Sequence, residues 1–429
     1  MTKRSLTRWG TVVVLACSAL AAQENAGKGL PALVDGSERF GRSLLQKKHS
    51  ESPEKNIVLA PLSLTVVFAA IRTHSWSRQT TGEIDQAFGW SGGLRLGSPM
   101  RMMLSIFERP AKPAPCRESP LTKRLGVQAP CRQETPEAEW VTNTFLYRDA
   151  PGGKNPVDEY FQESAKANFA FIFVNTGNHA PDAEALRKAR GPVGALPKVA
   201  ADPVLGPNDI WISSGMHVQT AWSGNTFSIS EPHSGTFHAP AGERQVTLLD
   251  SEMAEYLYAK TSTFEAAALP GYLAYMIAVL PAPGVEITQL EQELAAKPAE
   301  LDALMQRQIG VVTMPVFDID YESHLSPIIQ ALGIREPFRG LEGITTIKNS
   351  RLTDVAQKID IHVDKQGIRA NAETVAGIVL GGLMAGQQPF HVVLDRPFLF
   401  LIRDQTTNAL LFIGVLMDPG EGAPGSAKK

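Results

Sequence analysis

Metal-binding and redox residues are scarce: nine histidines and three cysteines are spread over 429 residues without an HExxH or a paired CxxC. That pattern leaves no recognisable metal site, and no cofactor is expected. Charge of one sign is missing too. The formal net charge is -3 and no long basic stripe runs along the chain, which excludes nucleic acid as an expected partner. Downstream of Leu20 no apolar run is long enough to span a bilayer. What is left, 43% hydrophobic and 20% charged, describes a globule able to bury a sizeable core. Length alone would suggest two or three domains, yet no linker separates two independent cores.

At the N-terminus, Lys3, Arg4 and Arg8 precede the apolar run Thr11 to Leu20, and Ala21-Ala22 follow. That order reads as a secretory signal over 1–22, cleaved near Ala21 or Ala22, with a linker over 23–36. Cys17, in Val14-Leu15-Ala16-Cys17, loosely matches a bacterial lipoprotein cleavage box, so a lipid anchor and surface tethering are the alternative. Either way the chain is expected outside the cytoplasm: secreted, extracellular or periplasmic. Cys116 and Cys131 lie among six prolines between Pro110 and Pro136. In an oxidising compartment a disulfide between them would stabilise a surface loop by about 3 kcal/mol; two free thiols are the alternative.

The richest stretch runs from Asp354 to Asp404. Val355 to Val363 alternates as a strand, with Ile359, Ile361 and Val363 on one face and Asp360 and His362 on the other. Asp364 to Gly367 is a polar turn signal. In the following segment Ile368, Ala370, Ala372, Thr374, Ala376 and Ile378 are small or apolar at period two, interleaved with Arg369, Asn371 and Glu373. Such a segment fits a half-buried strand, but Gly377, Gly381, Gly382 and Gly386 weaken any permanent one. It reads as a long loop that can become a strand. After Pro389, two apolar runs flank Gln405 to Asn408 and make a core hairpin.

Other elements follow from periodicity. Helices are expected over Ala32–Lys48, Pro61–Arg72, Val157–Asn168, Ile287–Leu294, Glu300–Gln308 and His324–Leu332, and Thr80 with Glu83 has capping-box spacing for another. Strands are expected over Trp140–Tyr147, Phe169–Val174 and several segments from Ile210 to Leu280. Gly89-Trp90-Ser91-Gly92-Gly93 satisfies G-x-S-x-G, yet a helix precedes it where a nucleophile elbow needs a strand. It reads as a helix end with a glycine cap, and the chain is not expected to be an enzyme.

Asp395-Arg396-Pro397-Phe398-Leu399-Phe400-Leu401-Ile402-Arg403-Asp404, with Leu411-Phe412-Ile413-Gly414 and Asp418-Pro419, closely resembles the C-terminal signature of the serpins. Asn56-Ile57-Val58-Leu59-Ala60-Pro61-Leu62-Ser63 is similar to that family's Asn-Ile-x-x-Ser-Pro-Leu-Ser segment. Weaker echoes lie in order between them, at Thr142–Leu146, Gly215–Trp222, Tyr275–Pro281, Val312–Phe317 and Leu332–Ile334. The resemblance, to a divergent exported member with a bacterial source left open, implies one α+β domain over 37–419. It implies a large central mixed sheet, further sheets and surrounding helices. Residues 106–138 become a proline-rich insertion, 367–389 the hinge and reactive-centre loop, and 420–429 a disordered tail. Between Leu186 and Pro207 the family's usual helix and motifs are missing.

The function implied is an exported inhibitor consumed in the act. A serine peptidase, or alternatively a cysteine peptidase, attacks the exposed loop, which then inserts into the central sheet. Gly367 is the hinge, and Ile368, Ala370, Ala372, Thr374, Ala376 and Ile378 are the inward set; none is charged. Ile368 stands where the family usually has threonine or serine, and Arg369 where it has glutamate. At the sheet-opening region Ala60, Ser214 and Gln357 replace the usual serine, asparagine and histidine. Counting from Gly367 places the scissile bond at Gly381-Gly382; counting back from Pro389 moves it towards Gly386. Leu380, Leu383 and Met384 can fill a specificity pocket, and no Lys or Arg lies between Arg369 and Arg396. The expected target is therefore elastase-like or chymotrypsin-like, and the inhibitor is expected to be a monomer. A non-inhibitory binding or structural protein on the same fold is the second reading.

Overall fold

The computed structural model describes residues 7–91, 93–107, 138–149, 152–176, 205–206, 208–223, 226–227, 230–369 and 388–420. Cys116, Cys131 and residues 370–387 lie outside them, as does most of the 186–208 stretch. No described helix is long and apolar enough to cross a membrane.

Helix α1 spans Thr7–Glu51, taking in the helix expected over Ala32–Lys48. Leu33, Phe40, Leu44 and Leu45 are its buried stripe. Strand β1 (Ile57–Leu59) and helix α2 (Pro61–His74) follow. Pro61 begins α2, where its missing N–H costs nothing. Gly41 lets α1 lie against it, because a Cβ there would sit 2.4 Å from Pro61 Cγ. Helix α3 (Arg78–Phe88) starts earlier than the Thr80–Glu83 spacing suggested. Ser77 is the cap and accepts a bond from Thr80 N at 3.2 Å, so Thr80 falls inside the first turn. Glu83 instead accepts from the backbone N–H groups of Arg335 and Glu336, each at 2.7 Å. The helix ends at Gly89 with φ 70°, the left-handed cap that the G-x-S-x-G segment promised. Phe88 stacks between Phe40 and Trp90, each centroid 4.4 Å away.

Helix α4 (Gly97–Phe107) and strand β2 (Ala138–Tyr147) come next, and residues 108–137 between them lie outside the described residues. Helix α5 (Glu159–Asn168) is capped by Asp158, which accepts from Phe161 N at 2.9 Å, so its start lies two residues later than Val157. Strands β3 (Phe171–Asn175), β4 (Asp209–Ala221), β5 (His233–Ala239), β6 (Gly242–Asp250), β7 (Ala254–Lys260), β8 (Phe264–Leu269) and β9 (Ala274–Pro281) come next. After helices α6 (Ile287–Ala296) and α7 (Glu300–Leu304), β10 begins at Gln306 and runs to Pro315. Gln306 to Gln308 were expected to be helical; pairing with Tyr258 to Tyr256 of β7 draws them into the sheet. Strand β11 (Phe317–His324), helix α8 (Ser326–Ala331), and β12 (Arg351–Val363), β13 (Gly367–Arg369), β14 (Phe390–Val393), β15 (Phe398–Asp404) and β16 (Leu410–Leu416) complete the chain.

Among the described residues one sheet has six strands in the order β11-β12-β13-β4-β2-β3; the other has ten, with β15 and β16 near one end and β14 attached to β10. The two strands of the β15–β16 hairpin are buried at every position. Its one cation, Arg403, is 1% exposed and donates to Glu38 of α1 at 2.6 Å; a buried charge needs such a partner. Asn56 fastens β1 to the chain end, donating to Asp418 O and accepting from the N–H groups of Met417 and Asp418. That accounts for the asparagine of the upstream motif.

Candidate functional site: a slot between two parallel strands

Strands β4 and β12 run parallel and are directly paired from Asp209↔Arg351 to Ser214↔Gln357. Beyond that they part. At the far end β13 lies between them, antiparallel to both, with Gly367↔Ala221 and Ile368↔Thr220 on one side and Ile368↔Val363 and Arg369↔His362 on the other. Among the described residues, Gly215–Gln219 of β4 and Lys358–Ile361 of β12 have no ladder partner on these facing edges. The result is a slot joined below and wedged above.

The wedge needs glycine. Gly367 has φ 156°, and a Cβ on it would lie 2.2 Å from Thr220 O and 2.7 Å from Ala221 Cα. Ile368 is 2% exposed. The turn before it is built by Asp364, whose Oδ1 accepts from the N–H groups of Gln366 and Gly367 at 2.7 and 3.2 Å. Trp222, at the end of β4, donates from Nε1 to Asp364 O at 2.8 Å and from its backbone N–H to Gln366 O at 3.2 Å. Sequence reasoning placed Asp364 in a turn and Trp222 in a family-like segment but not the contact between them, which spans 142 residues.

Where β4 and β12 meet, the altered network is a closed one. The Gln357 amide accepts from Ala60 N at 3.2 Å and donates to Ala60 O and Ser63 Oγ, both at 2.9 Å. Ser214 donates to Ser63 Oγ at 2.8 Å, and Ser63 donates to Ala60 O at 3.0 Å. All four residues are at most 1% exposed. Gln357 and Ser214 were singled out from the sequence. Ser63, the hydroxyl that joins them, was not, although it stands three residues after Ala60 in the motif. A fully satisfied buried network of this kind fixes one arrangement and is costly to break.

The other end of the 370–387 segment is held on the second sheet. β14 runs parallel to β10, Gly310↔Phe390 to Thr313↔Val393. Phe390 stacks on Tyr258 at 4.1 Å and 7°. Gly310 makes room for it, since a Cβ there would lie 2.3 Å from the ring. Ala370, Ala372, Thr374, Ala376 and Ile378, and the reactive-site candidates Leu380, Gly381, Gly382, Leu383 and Met384, lie outside the described residues between these anchors.

The family model described as serpin (serine protease inhibitor) matches residues 200–419, which is more than half of the chain and includes both anchors and the slot. The chain belongs to the serpin family. An uncharacterized serpin-like protein of Thermococcus kodakarensis is 28% identical over 216 residues, covering 49% of this chain and 50% of that one. Human neuroserpin is 33% identical over 148 residues, covering 34% and 35%. The chain thus spans half or less of the length of these two curated relatives. Across whole structures the likeness is wider. Human thyroxine-binding globulin complexed with thyroxine superposes with a TM-score of 0.71 over 91% of this chain and 99% of that one, at 17% identity. Tengpin, a thermophilic serpin in the native state, gives 0.69 over 90% and 94%, also at 17%. At such identities the structural likeness is one of fold, and this serpin fold includes the N-terminal half that the family model does not reach.

Proposed function

We propose that this serpin inhibits serine peptidases by a single-use mechanism: the peptidase cleaves within 370–387, and the freed segment fills the slot between β4 and β12. The observation that carries this reading is the register of β13, already hydrogen-bonded to both walls. Continuing that register would set Ala370 against Val218 and Ile361, Ala372 against Met216 and Ile359, and Ala376 against Ile212 and Val355. All six wall residues are buried. Thr374, which alone in the inward set carries a hydroxyl, would arrive between Ser214 and Gln357, where a polar side chain can join the network. Residues 370–373 would pair with the open edges, residues 374–378 would exchange the single β4–β12 ladder for one on each side, and the inward side chains would leave water. Cleavage would release the segment from its second anchor, the strand β14 paired with β10.

The acyl bond between the peptidase serine and the new carboxyl end would be carried along with the inserting strand, distorting the active site before water can release it. Leu380, Leu383 and Met384 favour an elastase-like or chymotrypsin-like target, and export would bring the inhibitor to it. Incubation with elastase-like, chymotrypsin-like, subtilisin-like and trypsin-like peptidases should give an SDS-resistant adduct with the first two, and sequencing the released C-terminal fragment should place the cut between Leu380 and Gly386. Clean turnover by the whole panel, with no adduct, would instead favour a binding or structural role for the fold.

A further inference from the structure

His362 stands on the outer face of β12, one residue pair from the hinge, and both of its ring nitrogens meet carboxylates. Nδ1 is hydrogen-bonded to Asp318 of β11, and Nε2 lies 3.1 Å from Oδ2 of Asp364. Asp364 is the residue whose other oxygen holds the N–H groups of Gln366 and Gly367. One imidazole therefore links the edge strand to the turn from which the hinge departs. A neutral imidazole has a single N–H and can donate to only one of these carboxylates, leaving a lone pair facing the other; the doubly protonated ring donates to both.

We propose that His362 is a proton-dependent positioning residue for the hinge: charged, it ties the Asp364 turn to β11 and keeps β13 seated; neutral, it releases that tie. This regulation rests on reading Gly367–Arg369 as the hinge of an inserting loop. The surrounding charges favour the charged form. Asp318 and Asp320 face it from β11, and Asp360 lies on its own strand beside Lys358, which pairs with Asp320. Lys365, in the turn, is occupied by Glu231 at 3.5 Å. Arg369 is the register partner of His362 on β13, and the two carboxylates in direct contact with the ring are those of Asp318 and Asp364. Burial opposes the charged ring, the bonds and charges of Asp318 and Asp364 outweigh it, and the pKa lies above the ordinary histidine value. The tie is therefore complete below about pH 6.5 and weakens as pH rises through the raised value.

The test is hydrogen exchange of the Gln366–Arg369 amides, corrected for intrinsic rates, in the full chain without any peptidase. Failure of inhibition and failure of this tie thus give separate results. Between pH 6 and pH 8.5 protection should fall about tenfold in the wild type as the ring loses its second proton. His362→Gln should be loosely protected at both pH values, His362→Arg well protected at both, and Asp318→Asn should lose the pH dependence. Protection that is the same at both pH values in the wild type, or that changes equally in His362→Gln, would overturn the proposal.

Discussion

Gln357 has no exposure and binds both the N–H and the C=O of Ala60 as well as the Ser63 hydroxyl. Gln357→Ala would strand these groups without water, and urea unfolding should register a loss of about 2–4 kcal/mol. Ser63→Ala, which leaves the amide clamp on Ala60 intact, should cost less, about 1–2 kcal/mol. Gly367→Ala acts differently, through a backbone conformation closed to a Cβ and a contact of 2.2 Å with Thr220 O. It should unseat β13 and speed trypsin cleavage after Arg369 several-fold, measured against the unchanged rate at surface lysines. At this scale the sequence was informative about types but not partners. Ala60, Ser214 and Gln357 looked like a damaged copy of a family network. Ser63 repairs it from the next turn of α2, a fact that depends on three segments meeting and on no local pattern.

Elements with a full amphipathic or apolar period were legible: the β15–β16 hairpin, β12 with its inward isoleucines, and α2 behind Pro61. The misreadings have particular causes. Two capping residues, Ser77 and Thr80, compete within one turn, and the earlier one wins because Thr80 N–H reaches Ser77. Gln306–Gln308 have no strand character alone and take it from β7. β13 is only three residues long and exists because two strands receive it. The register of β13 also makes a paired prediction. Ala372→Asp would place an unpaired carboxylate against Met216 and Ile359, a cost of several kcal/mol. That variant should be cleaved without forming an adduct. Glu373→Lys, one residue on and pointing outward, should retain inhibition, as measured by moles of inhibitor consumed per mole of peptidase.

Over the whole molecule, the order of weak motifs from Asn56 to Pro419 disclosed the family more reliably than any one of them, because a fold tolerates substitutions that preserve the sequence of elements. What it did not disclose was the balance of buried titratable groups. His74, 7% exposed, donates from Nδ1 to Ala70 O and lies edge-on to Phe161 and Phe169. Burial lowers its pKa. A lowered folded-state value means stability is complete above the unfolded value of about 6.5 and is lost as pH falls below it, by at most about 1.4 kcal/mol per pH unit. His49 runs the opposite way: burial disfavours its charge, but Glu291 at 2.8 Å raises its pKa, so its contribution fades as pH rises. The urea midpoint at pH 7.5 minus that at pH 5.5 should therefore be smaller, or more negative, in His74→Phe than in the wild type.

Entry of residues 370–378 between β4 and β12 after cleavage can be followed by thermal unfolding of intact against loop-cleaved protein. Insertion adds hydrogen bonds along both walls and buries the inward side chains, so the cleaved form should melt higher by on the order of 10 °C or more. Equal melting temperatures for the two forms, with the cut verified between Leu380 and Gly386, would contradict it.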